Sequence, residues 1–191
     1  MDDKLKVVAI SGSLRQDSYN KKALHVATRF AAEKGMNIEE IDLKRLGLPL
    51  YDADIESQGF PESVENIRKI VQSSDVILIA SPEYNHSVTG ALKNAVDWLS
   101  TKKNILDGKT AVIFGASTGP FGTLRSQTHL RQILTALNVF VLPQPQVYIR
   151  FANEAFDGDG NLVDIKIQNQ LKELVVKSLS LARLTRSLIT K

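Results

Sequence analysis

The chain contains no cysteine, which excludes disulfides, thiolate nucleophiles and thiolate metal sites. Redox chemistry, if present, must then be carried by a bound cofactor. No apolar run approaches the length of a membrane span. The opening Met1-Asp2-Asp3-Lys4 leads directly into a strand pattern without a signal-peptide layout. The expectation is a cytoplasmic protein with no membrane association. A net charge of +3 with dispersed basic residues, consecutive lysines falling only at Lys21-Lys22 and Lys102-Lys103, offers no basic stripe with interleaved aromatics. A nucleic-acid partner is therefore not expected, although the charge favours small anions by steering. His25, His86 and His129 show no triad or metal-ligand spacing, and the acids Asp52, Asp54 and Glu56 match no metal loop, so no metal is expected. Those acids read as a solvated surface turn.

What is present is one domain's worth of residues, 1–191, with an apolar share of 43% that suits a single buried core. The chain is organised around Ala9-Ile10-Ser11-Gly12-Ser13-Leu14-Arg15-Gln16-Asp17-Ser18-Tyr19-Asn20. A Val/Ile-rich strand, Leu5 to Ile10, enters this stretch, and a helical pattern with Ala23, Leu24, Ala27, Phe30 and Ala31 leaves it. Strand, short polar loop and helix form a layout for holding a phosphate. Loop N–H groups and the helix dipole face the anion, hydroxyls add donors, and Arg15 adds a two-pronged cation. Gly12 permits close backbone approach, and Ser18 is the expected N-cap. The loop lacks the Gly-Lys-Ser/Thr of a Walker A motif and the three glycines of a dinucleotide fingerprint. A polar loop that merely caps a helix is the alternative, made weaker by Arg15, the serines and Asn20 in one short segment.

Further along, a strand pattern at Asn37 to Leu43 precedes a loop from Gly47 to Phe60, then a helix over Glu62 to Ser73. The most apolar strand, Asp75 to Ala80, should be central and runs into Ser81-Pro82-Glu83-Tyr84-Asn85-His86-Ser87-Val88-Thr89-Gly90. A helix from about Ala91 follows, then a strand from Lys109 to Phe114 entering Gly115-Ala116-Ser117-Thr118-Gly119. After another helix, the last strand lies near Val139 to Leu142, with a Pro-broken extension to Ile149 and a terminal helix from about Asp164 to Leu188. Five strand–helix alternations without an internal repeat predict an α/β, doubly wound, five-stranded parallel sheet of order 2-1-3-4-5. Right-handed crossovers would bring the loops after the first, third and fourth strands to one edge, where such sheets bind ligands.

The spacing Gly-Ser-x-Arg-x-x-Ser-x-Asn, the Pro82-Glu83-Tyr84-Asn85 loop and the Ser117-Thr118-Gly119 loop, in that order, resemble the NADPH-dependent FMN reductase family, whose fold is flavodoxin-like. Gly90-Ala91-Leu92-Lys93-Asn94-Ala95-Val96-Asp97-Trp98-Leu99 is similar to the family's helix after the second loop, and His129-Leu130-Arg131-Gln132-Ile133-Leu134 to its chromate and quinone reductase branch. Thr89 departs from the proline that many members carry before Gly90, and His86 lies where residue type varies.

The resemblance implies FMN as cofactor and NADPH or NADH as co-substrate. Ser11, Ser13, Arg15, Ser18, Tyr19 and Asn20 would hold the phosphate. Pro82, Glu83, Tyr84 and Asn85 would line the isoalloxazine edge, and Ser117, Thr118 and Gly119 the pyrimidine end. Tyr51 and His86 are substrate-side candidates. No protein residue is demanded as a catalyst, because hydride passes through flavin N5 to a quinone, azo compound, chromate or free flavin. The resemblance also implies a homodimer or homotetramer, with the Trp98 helix at the dimer face and Arg125 at the tetramer contact, although Trp98 reads equally as a core residue. An electron carrier like flavodoxin is the competing reading; a domain that kept the fold and lost the flavin is a third.

Overall fold

Runs of Val, Ile, Leu and Ala uninterrupted by charge produce strands buried on both faces, as parallel sheets covered by helices require. In the computed structural model, which describes residues 4–189 and side chains as far as Arg186, these are β1 (Lys6–Ser11), β3 (Val76–Ala80) and β6 (Thr110–Ala116). Met1 to Asp3, read above as the lead-in, and the last two residues of the 1–191 domain lie outside the described residues. The edge strand β2 (Asn37–Ile41) pairs with β1, which pairs with β3, which pairs with β6, all in parallel.

The fifth position is divided. Phe140–Val141 (β7) pairs with Thr110 and Ala111, whereas Val147–Ile149 (β8) pairs with Phe114 to Ala116. The strand expected over Val139 to Leu142 is thus shorter, and part of its supposed extension is itself sheet. Pro143 and Pro145 between the two segments lack the N–H that a continuous ladder needs. Overall the order is β2-β1-β3-β6-β7, the doubly wound flavodoxin-like arrangement.

Side chains alternate between two cores. On one face α1 (Tyr19–Glu33) and α8 (Ile165–Ile189) cover Val7, Ala9, Leu78 and Phe114. On the other, α4 (Glu62–Gln72), α5 (Gly90–Ser100) and α6 (Leu124–Ala136) cover Val8, Ile10, Ile77, Ile79 and Ile113. The short helix α7 (Ala152–Ala155) closes the end of β8.

The stretch after β2 holds more structure than a loop. Asp42 caps α2 (Leu43–Leu46), so Leu43 starts a helix rather than ending a strand. Asp52 caps α3 (Ala53–Ser57). Glu56 is not a solvated turn residue. It is 8% exposed, and its carboxylate accepts from Thr101 Oγ1 at 2.6 Å and Tyr51 Oη at 3.0 Å.

Candidate functional site

The parallel register aligns Ser11 with Ala80 and Ala80 with Phe114, so three loops leave the sheet side by side. They converge on a cleft of about 190 Å³ lined by Ser13, Arg15, Ser18, Tyr19, Asn20, Pro82, Glu83, Tyr84, Ala116, Ser117 and Thr118. Past Arg15 and Tyr84 it meets a hollow of about 470 Å³ bounded also by Gly12, Leu14, Lys44, Thr89, Gly90 and Ala91. The two together lie in the size range of cofactor sites.

The first loop is built from local hydroxyl bonds that reach two residues along the chain. Ser11 Oγ accepts from the Ser13 N–H at 3.3 Å, and Ser13 Oγ from the Arg15 N–H at 3.4 Å. Ser18 caps α1 by accepting from the Asn20 N–H at 3.2 Å. Each of these hydroxyls keeps its own proton for a further acceptor, and Ser13 and Ser18 are both buried. The Tyr19 N–H has no partner within its helix, as the first turn dictates. Arg15 is exposed and has no ion pair among the described residues. Asp17, the loop's acid, is paired with Lys22 at 3.1 Å. The result is a donor-rich hollow with a free guanidinium. Gly12 lets the loop close, since a Cβ there would stand 3.0 Å from both Pro82 Cδ and Leu92 Cδ2.

The second loop is a hairpin, β4 (Glu83–Tyr84) against β5 (Ser87–Val88). Asn85 and His86 form its two-residue turn with φ of 48° and 65°, the left-handed pair that such turns favour and that Asn tolerates best. The hairpin is anchored by Glu83, whose carboxylate accepts from the Arg125 and Ser126 N–H groups at 3.0 and 3.2 Å. That bond supplies the N-terminal cap that Thr123, left-handed and without a capping side chain, does not give α6. Arg125 also pairs with Glu83 at 3.3 Å and lies over the Phe121 ring. Tyr84 is 52% exposed, an aromatic face toward the cleft mouth.

The third loop is pinned from behind: Ser117 N–H donates to the Ile149 carbonyl and Ala152 N–H to the Ser117 carbonyl, both at 3.0 Å. Long-range bonds join the loops. Thr89 Oγ1 donates to the Gly12 carbonyl at 2.7 Å, and the Asn20 side chain makes two bonds with the Ala116 backbone at 2.9 Å. Ser126 Oγ donates to the Pro82 carbonyl at 2.7 Å.

Against this geometry stand the similarities to known proteins. The family described as NADPH-dependent FMN reductase matches residues 5–154. The chain belongs to this family. It is 48% identical over 179 residues to an NAD(P)H-dependent FMN reductase of Pseudomonas aeruginosa, covering 91% of this chain and 95% of that protein. It is 41% identical over 177 residues to a probable NADPH:quinone oxidoreductase of Oryza sativa subsp. japonica, covering 90% and 86%. Among solved structures it resembles FerB, a flavoenzyme NAD(P)H:(acceptor) oxidoreductase from Paracoccus denitrificans, with a TM-score of 0.85, 31% identity and coverage of 95% and 98%.

The family's cofactor fits the residues present. A phosphate dianion matches a loop of hydroxyls, helix N–H groups and an unpaired Arg15, and Glu83 is turned to α6, where it leaves the cleft without an opposing free carboxylate. Of the residues expected to hold the cofactor, all but Ser11, Asn85 and Gly119 line the cleft. Ser11 lies beneath the loop, Asn85 shapes the hairpin turn, and Gly119 accepts from the Phe151 N–H at 3.3 Å.

The two substrate-side candidates lie outside the cleft lining. Tyr51 is not brought to the cleft. Its ring stands edge-on to Trp98 and its hydroxyl bonds Glu56, so it ties the α2–α3 segment to α5. His86 is exposed at the hairpin tip, outside the cleft lining. Trp98, which read equally as a core residue and as part of a dimer-face helix, is fully buried within this chain, with its indole N–H donating to the Pro49 carbonyl at 2.8 Å. Thr89, Ser126 and Ala116 also join the loops, and no motif in the sequence marks them as site residues.

Proposed function

We propose that the chain is a single FMN-binding domain that oxidises NADPH or NADH and reduces quinones by two electrons. The supporting observation is the convergence of three polar loops on one cleft that carries an unpaired guanidinium at a helix N-terminus. Ser13, Arg15, Ser18 and Tyr19 would hold the phosphate; Pro82, Glu83 and Tyr84 would flank the ring; and Ser117 and Thr118 would face its polar end. When bound, FMN supplies hydride acceptance from the nicotinamide and hydride donation to the acceptor. The chain's own part is to bind, to orient and to exclude water. Arg15 neutralises phosphate charge, the Glu83-anchored hairpin fixes one edge, and Tyr84 offers a face for stacking of planar partners. The net charge of +3 favours approach of the anionic nicotinamide cofactor.

Quinones are the acceptors in this reading because quinone reductase is the activity named for a relative that shares most of the chain. Azo compounds, chromate and free flavin are further acceptors to assay. Cytoplasmic location and a homodimer or homotetramer belong to the same reading; among the described residues no helix is long and apolar enough to cross a membrane. Light scattering of the purified protein decides the assembly.

The deciding experiment is an anaerobic titration of FMN-loaded protein with NADPH, followed in the visible flavin band. Bleaching that a quinone reverses supports the reductase. A yellow protein that NADPH leaves yellow would make it an electron carrier, and a protein that takes up no FMN would undo the site.

A further inference from the structure

Asn20 stands in the first turn of α1, beside the loop that suits a phosphate, yet its side chain does not face that loop's hollow as a free donor. Its Nδ2 donates to the Ala116 carbonyl at 2.9 Å, and its Oδ1 accepts from the Ala116 N–H at 2.9 Å. The amide therefore pairs with a backbone 96 residues away, as a neighbouring strand would, at the last residue of β6. Asn20 is 5% exposed. Both functions of the carboxamide are used, and only one Nδ2 proton is left over. Its backbone N–H is also taken, by Ser18 Oγ. Ser117 and Thr118 follow Ala116 directly and line the same cleft.

We propose that Asn20 is a positioning residue rather than a phosphate ligand. Its two-pronged bond sets the distance between the phosphate loop and the third loop, so that both ends of a flavin mononucleotide meet preformed partners at once. The inference rests on the FMN reading above and reassigns one residue within it. A lost clamp loosens the third loop, which the ring needs whether or not a phosphate is attached. A lost phosphate ligand weakens only the phosphorylated flavin.

The test compares FMN with riboflavin, which lacks the phosphate, by fluorescence titration of the apoprotein. Asn20→Ala should raise both dissociation constants by a similar factor, on the order of tenfold, leaving their ratio as in the unsubstituted chain. Arg15→Ala, the control, should weaken FMN and leave riboflavin nearly unchanged. An FMN constant that rises while the riboflavin constant stays put for Asn20→Ala, as for Arg15→Ala, would overturn the proposal, and so would two unchanged constants. Hydrogen exchange on the unsubstituted apoprotein gives an answer that needs no variant to fold. The Ala116 N–H and the Asn20 carboxamide should both exchange slowly before any flavin is added. Fast exchange at both overturns the clamp. Failure of the unsubstituted chain to bind either flavin would sink the FMN reading, while the exchange result still judges the clamp.

Discussion

Thr89 Oγ1 donates a 2.7 Å hydrogen bond to the carbonyl of Gly12, joining the N-terminus of α5 to the first loop across 77 residues. The same oxygen accepts from the Leu92 N–H at 3.4 Å and so caps the helix. One buried hydroxyl thus holds two elements of the site.

Thr89→Val keeps the shape and removes both bonds. It leaves the Gly12 carbonyl without its partner and is expected to destabilise the fold by about 1–3 kcal/mol. FMN should bind more weakly as well, because Gly12 sits at the root of the phosphate loop. Urea melts and fluorescence titration measure the two effects; full stability in the valine variant would contradict the assignment.

Glu83 joins the hairpin to α6 through two backbone N–H groups and Arg125. Glu83→Ala uncaps the helix and frees the hairpin, at an expected cost of about 1–2 kcal/mol. Glu83→Gln, which keeps an acceptor, should fall between the two. Equal stability of all three forms would show that the cap contributes nothing.

Glu56 gives a pH prediction. The Thr101 hydroxyl above all, then the Tyr51 hydroxyl and the Lys102 and Arg68 charges, outweigh desolvation and hold its carboxyl below the ordinary glutamate value. A folded pKa below the unfolded one means that the unfolded chain binds more protons in acid. The stabilisation is complete above the ordinary value, near about 4.3, and is lost as pH falls through the lowered folded value. Glu56→Gln should therefore flatten the acid limb of a Tm profile below about pH 4.3, as pH falls through the lowered folded value. Parallel acid limbs in the two proteins would show that Glu56 is not the group responsible.

Tyr84 is half exposed, and its hydroxyl has no hydrogen-bond partner among the described residues. Tyr84→Ala should leave the unfolding free energy within about 0.5 kcal/mol of the unsubstituted chain, as for other surface positions. The loss should appear in kcat/KM for NADPH or quinone, at roughly 0.5–1.5 kcal/mol if the ring stacks on planar partners. A large fall in Tm with normal kinetics would make the ring structural.

Much of this is legible without coordinates. Val76 to Ala80 is apolar at every position, and such a run flanked by helical patterns has few places to go except the middle of a parallel sheet. Ser18 followed by an amphipathic pattern marks a capped helix, and the cap forms. The order of the loops then follows from handedness, so the cleft lies where expected. Other features were hidden. The hairpin at Glu83 to Val88 has only two paired residues per strand, too short for an alternating pattern to register. Glu56 sits in an acidic run that resembles solvated surface, and only Tyr51 and Thr101 closing on it make it a buried acceptor.

By itself the sequence determined the alternation of strands and helices, the absence of thiol chemistry, and three loops whose residues suit a phosphate and a planar ring. These are local properties: they depend on side-chain periods of two and 3.6 residues and on which residues tolerate a turn. The tertiary structure alone decided which polar groups remain for a ligand. Among the described residues Arg15 is left without an ion pair, whereas Glu83 is spent on a helix end, Asn20 on Ala116 and Tyr51 on Glu56. A buried polar group must be partnered, and its partner lies wherever the fold brings a complementary backbone or side chain within about 3 Å, at any distance along the chain.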